Sequence, residues 1–152
     1  MGLFSKLRKS APSANDTLAK AVLVPSVMTM ISDGSVDDSE LAQLANLCSF
    51  SPIFARQSPD TVLAMIKDVL GELQSSDIQA MIDRTKGQLT MPMRETAVLF
   101  AMRIAIADGR VDEGERKALL VLGQQFEIPE STFFVMFDVI SMLQRAPESV
   151  SA

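Results

Sequence analysis

Apolar residues recur along this chain at helical spacing, and short polar stretches with helix-capping character separate the runs. A first long helix is expected to begin at a cap on Asn15 or Asp16 and to end at Gly34. Its interior, Ala21-Val22-Leu23-Val24 and Val27-Met28-Thr29-Met30-Ile31, is apolar on nearly every side, as in a helix surrounded by others. Pro25 is expected to kink that helix or reset its start, because it has no N–H for the ladder. A second helix is expected from Asp37 to about Phe50, with Leu41, Leu44, Ala45 and Cys48 on one face, stopping before Pro52.

Ser58-Pro59-Asp60 places a capping hydroxyl, a first-turn proline and a dipole-favoured acid in sequence. The helix they open carries Val62, Ile66, Val69 and Leu73 on one face, and a shorter amphipathic helix follows from Ser76. Thr90 with Pro92 opens another long helix, almost uniformly apolar from Ala97 to Ala107 and ending at Gly109. Asp112 to Phe126 and Glu130 to about Gln144 supply the last two. No sustained alternation of period two and no Asn-Gly or Asp-Gly hairpin between β-branched runs occurs, so no strands are expected. The predicted fold is all-α: one bundle of about seven helices over residues 15–146, preceded by a basic stub and linker at 1–14 and followed by a disordered tail at 147–152.

Composition narrows the chemistry. At 152 residues, 47% of them hydrophobic, the chain can close one substantial core. Its single cysteine, Cys48, excludes an internal disulfide and reads as a small core residue in a reducing compartment. Histidine, tryptophan and tyrosine are absent, which removes the commonest general base and imidazole metal ligand and argues against an enzyme. No run reaches the roughly 18 apolar residues of a membrane span. Lys20 and Pro25 break any signal-like segment, and Lys6 stands where myristoylation needs Ser or Thr. A cytoplasmic protein is expected, in the cytosol or at the inner face of the membrane. Leu3, Phe4 and Leu7 with Lys6, Arg8 and Lys9 make a short basic amphipathic stub, so membrane contact is at most peripheral. Nothing marks a nucleic-acid interface, a phosphate loop or a nucleophile pair.

The most informative feature is a repeat. Ile31-Ser32-Asp33-Gly34-Ser35-Val36-Asp37-Asp38-Ser39-Glu40 aligns with Ile106-Ala107-Asp108-Gly109-Arg110-Val111-Asp112-Glu113-Gly114-Glu115 at a constant offset of 75 positions. Each copy follows an apolar helix and precedes an amphipathic one, so the chain reads as an internal pseudo-two-fold duplication. These turns hold eight of the nineteen acidic residues, opposed only by Arg110, a local charge of −7, while the rest of the chain carries +2. Acidity concentrated in this way invites a cation. Asp-Gly-x-Val-x-x-x-Glu matches the second half of an EF-hand loop, yet apolar residues or Thr29 occupy the first-half ligand positions. The metal-ligand candidates are Asp33, Asp37, Asp38, Glu40, Asp108, Asp112, Glu113 and Glu115, with Glu40 and Glu115 principal, for a weak or shared divalent site completed by water or by both turns together. Calcium or magnesium suits such oxygen ligands better than zinc.

The alternative reading is structural. Gly34 and Gly109 suit the left-handed residue that ends a helix, and Asp37-x-x-Glu40 and Asp112-x-x-Glu115 are capping boxes. Capping leaves Asp33 and Asp108 unexplained, since they put negative charge at the negative end of a helix dipole. On this reading the module is a helical interaction domain whose acidic face docks a basic partner. Arg103, inside an apolar helix, is expected to pair with an acidic-turn carboxylate. Met28, Met30, Met91, Met93, Met102, Met136 and Met142 read as core, as do Phe133, Phe134 and Phe137.

The acidic repeat, above all Ala105 to Glu115 followed by Leu119, Leu122 and Phe126-Glu127-Ile128-Pro129, resembles the TerB family over roughly Thr17 to Leu143. That resemblance implies an all-helical duplicated fold with acidic helix junctions considered as a metal site. It further implies a non-enzymatic accessory role in tellurite resistance and stress response, beside a TerC-type membrane protein and TerD-type calcium-binding proteins.

Overall fold

A computed structural model describes residues 14–147, except positions 33, 35 and 108. The N-terminal stub, Asp33, Asp108 and residues 148–152 of the expected tail lie outside the described residues. Seven α-helices follow one another: α1 (Ala14–Ser32), α2 (Asp38–Cys48), α3 (Pro59–Ser75), α4 (Ile78–Gln88), α5 (Met91–Ala105), α6 (Glu113–Gln125) and α7 (Glu130–Leu143), with a 3-10 turn at Pro52–Phe54. No strand occurs among the described residues.

Local chemistry accounts for most helix ends. Ser58 Oγ accepts the Thr61 N–H at 3.1 Å and Pro59 occupies the first turn, as its missing N–H allows. α4 starts two residues later than expected because Asp77, not Ser76, is the cap: its Oδ1 accepts the Gln79 N–H at 3.0 Å. Thr90 caps α5 by its extended backbone alone, without a side-chain bond. α1 begins at Ala14, ahead of both expected caps, and Asp16 accepts instead from Gln57 Nε2 at 2.9 Å.

Pro25 neither ends nor restarts α1, which is helical on both sides of it. Its ring is buried with Ala21 to Val24 and Val27, while the Thr29 hydroxyl donates to the Pro25 carbonyl at 2.9 Å. Burial on every side outweighs the lost ladder bond here. α1 is thus the central helix, packed chiefly on α5 and also on α3, α4 and α6. α5 departs from expectation: Ala97, Val98, Ala101 and Met102 are buried, but Leu99, Phe100 and Ile104 are only half-buried, so other helices do not enclose it. Of the methionines expected in the core, Met30, Met102 and Met136 are buried, Met28 and Met93 half-buried, and Met91 and Met142 exposed. Phe133 is buried; Phe134 and Phe137 are half-buried against it, with the Arg116 guanidinium over both rings.

Cys48 lies fully buried on α2, and burial pushes its thiol up to about 12. An aromatic disulfide reagent is therefore expected to leave Cys48 unmodified in native protein at pH 8 and to label it at once in denaturant. Prompt native labelling, followed by absorbance, would show that α2 opens readily.

Candidate functional site

Both acidic turns are built by the same local bonds. In the first, Asp37 Oδ1 accepts the Glu40 N–H at 2.8 Å and Glu40 Oε2 accepts the Asp37 N–H at 3.2 Å. In the second, Asp112 Oδ1 accepts the Glu115 N–H at 2.7 Å and Glu115 Oε2 accepts the Asp112 N–H at 3.4 Å. These are complete capping boxes. Asp38 and Glu113 are the first residues of α2 and α6, exposed and favourably placed at the positive end of a helix dipole.

The glycines match as well: Gly34 has φ 115° and donates to the Ile31 carbonyl at 3.1 Å, and Gly109 has φ 78° and donates to the Ile106 carbonyl at 3.0 Å. Their surroundings differ. A Cβ on Gly34 would meet nothing within 4 Å, whereas one on Gly109 would lie 2.7 Å from the Gln144 carbonyl oxygen and 2.9 Å from the Ala146 nitrogen. The C-terminal segment therefore lies against the second turn.

Above these turns the helices form two grooves. The first, of about 340 Å³, takes Met28, Thr29 and Ser32 from α1, Ala105 from α5, and Glu115, Ala118, Val121, Leu122 and Gln125 among others from α6. The second, of about 300 Å³, takes Arg103, Ile104 and Ala107 from the end of α5, and Gln43, Asn46, Leu47 and Phe50 from α2 and the residues just after it. The lining positions correspond at the same offset as the acidic repeat. Met28, Thr29 and Ser32 are each 75 positions before Arg103, Ile104 and Ala107, and Gln43, Asn46, Leu47 and Phe50 are each 75 before Ala118, Val121, Leu122 and Gln125. α1 thus forms a groove with α6, and the end of α5 one with α2.

This pairing brings Ser32 and Ala105, the last residues of α1 and α5, into one groove wall with Glu115. The two turns that hold all eight candidate ligands leave the helices there. Among the described residues, no three acidic or cysteine side chains converge as a metal-binding group. Glu40 and Glu115 each commit one carboxylate oxygen to a cap, so neither offers both oxygens to a cation while its box is closed. The described donors alone do not compose a calcium site.

The sequence pattern of the family Tellurite resistance protein TerB matches residues 19–136, most of the chain. The chain belongs to the TerB family. No curated protein and no solved structure gives a match. In this TerB domain, no helix among the described residues is long and apolar enough to cross a membrane.

Two arginines differ in their surroundings. Arg103 forms no ion pair among the described residues and lines the second groove instead. Its half-exposed position on α5 lets the head reach water, so burial does not force a carboxylate partner. Arg94, which no motif marked, is only 16% exposed and binds Glu127 Oε2 at 3.1 Å. It also donates to the carbonyls of Lys86, Leu89 and Phe126 at 2.8, 3.2 and 3.3 Å, joining the ends of α4 and α6.

The Arg94 hydrogen bond, with Lys86 beside it, holds the Glu127 carboxyl below its ordinary 4.5. A depressed carboxylate stabilises the fold above its ordinary value and loses that contribution as pH falls through the folded value. Glu127→Gln is therefore expected to melt below the wild type at pH 7, with the gap closing below pH 4.5. A gap that does not narrow as the pH is lowered below 4.5 would mean that the ion pair is not its source.

Proposed function

We propose that this TerB domain works without catalysing a reaction, as a tellurite-resistance and stress-response accessory module whose two acidic turns together take up a divalent cation. The observation that supports this reading is the shared groove: Ser32 and Ala105, the residues from which the two turns leave α1 and α5, both line it. Carboxylates from Asp33, Asp108, Glu40 and Glu115 would be hard oxygen ligands of the kind that suits calcium or magnesium. Its partners in this role are a TerC-type membrane protein or a TerD-type protein.

The test is a helical-signal thermal melt of metal-stripped protein with calcium, magnesium, manganese or zinc added. A site filled at 100 times its dissociation constant adds about 2.7 kcal/mol, roughly 5 to 11 °C for a chain of this size. Glu40→Gln with Glu115→Gln retains a carbonyl oxygen for each capping bond and is expected to lose the metal response. A full response in that variant would remove the glutamates from the ligand set.

The completed capping boxes favour a second reading, in which the turns are rigid corners of an acidic face that docks a basic partner. Absence of any shift at millimolar metal would select it.

A further inference from the structure

We propose that the outer face of α7 is the contact through which two copies of this chain pair, antiparallel across a two-fold axis. The pairing requires no bound cation. α7 is rich in apolar residues all round, the pattern of a helix that others surround, yet the fold surrounds only part of it. Phe133, Met136 and Ile140 are buried where α7 packs on α5 and α6. On the opposite side Val135, Val139, Met142 and Leu143 are 63%, 50%, 54% and 69% exposed, half of the eight exposed large hydrophobic side chains among the described residues. Val135, Val139 and Met142 follow at i, i+4 and i+7 with Leu143 beside them, so they form one stripe. Valine at an exposed helix position is disfavoured both by water and by helix propensity.

The charges bordering this stripe argue for a second copy as its cover. Asp138 and Arg145 bracket Val139, Met142 and Leu143; both are exposed, and neither forms an ion pair among the described residues. They are opposite in sign and stand one at each end of the apolar cluster, so the segment is complementary to its own reverse. A two-fold axis beside Met142 sets each Asp138 opposite the partner's Arg145 and each Val139 opposite the partner's Leu143, while the two Met142 side chains meet on the axis. A parallel arrangement would set like charges together at both ends, which is costly. An anionic lipid surface fits poorly, because Asp138 lies within the stripe and the chain carries a net charge of −5. Four apolar side chains make a small interface, so a weak dimer is expected, with a Kd on the order of 10 μM.

The test is sedimentation equilibrium of the full chain at pH 7 from about 1 to about 500 μM, a range that brackets that Kd. The wild type is expected to pass from monomer to dimer. Val139→Glu, which brings like charges close to the axis, is expected to raise the Kd about a hundredfold. Its thermal melt at concentrations where both proteins are monomers is expected to match the wild type, since the side chain is half exposed. Asp138→Arg is expected to raise the Kd about tenfold, and adding Arg145→Asp to the same chain to restore it, because the exchange re-forms both ion pairs with their signs reversed. A wild type that stays monomeric throughout overturns the proposal in favour of a different apolar partner. Dimerisation unaltered by Val139→Glu places the contact on another face, and a double exchange that fails to restore the Kd overturns the antiparallel pairing.

Discussion

Arg94→Met is expected to lower the stability of the domain by about 3 kcal/mol, a fall in Tm of roughly 6 to 12 °C at this chain length. The substitution preserves much of the side chain's apolar bulk and α5's helix propensity, so the loss isolates the guanidinium. That group serves the carbonyls of Lys86, Leu89 and Phe126 and the Glu127 carboxylate from a position only 16% exposed. Without it, carbonyls at the ends of two helices lose a shared donor, and Glu127 is left with Lys86 at 3.5 Å. Arg94→Lys is expected to recover only a small part, because one ammonium cannot reproduce the planar fork that reaches α4 and α6 together. Thermal melts decide the matter. A loss of under about 1 kcal/mol would place this network among ordinary surface ion pairs.

The second large effect is expected at Gly109. Alanine there meets two costs, a left-handed φ of 78° and a Cβ 2.7 and 2.9 Å from backbone atoms of Gln144 and Ala146. Together these amount to about 3 kcal/mol. Gly34→Ala meets a φ of 115° with open space around it, so it carries conformational strain alone, about 1 to 2 kcal/mol. The two substitutions form an internal comparison within one repeated motif. Removing residues 144–152 is expected to shrink the cost of Gly109→Ala toward that of Gly34→Ala, as a double-mutant cycle would register. Additive effects would show that the C-terminal segment does not hold the turn.

Much of the candidate site was legible because its determinants are local. Asp37-x-x-Glu40 and Asp112-x-x-Glu115 specify capping boxes through bonds spanning three residues, and Gly34 and Gly109 specify left-handed turns through their own backbones. Asp38 and Glu113 have a structural role at the first position of a helix. The apolar groove was missed because its walls come from residues far apart in sequence. A signal for it was nonetheless present: comparing positions 75 apart shows Met28 against Arg103 and Val121 against Asn46, the divergence of two otherwise matched sites.

The sequence by itself determined the seven helices, most of their caps, the paired acidic turns and membership of an all-helical family, since helical periodicity and capping act within a few residues. Tertiary structure alone decided that Pro25 stays inside a continuous α1, that Arg94 joins the ends of α4 and α6 while Arg103 lines a groove, that α1 lines a groove with α6 and α5 one with α2, and that the C-terminal segment lies against Gly109. The reason is physical: an amphipathic pattern specifies which side chains leave water, but not which neighbour they meet.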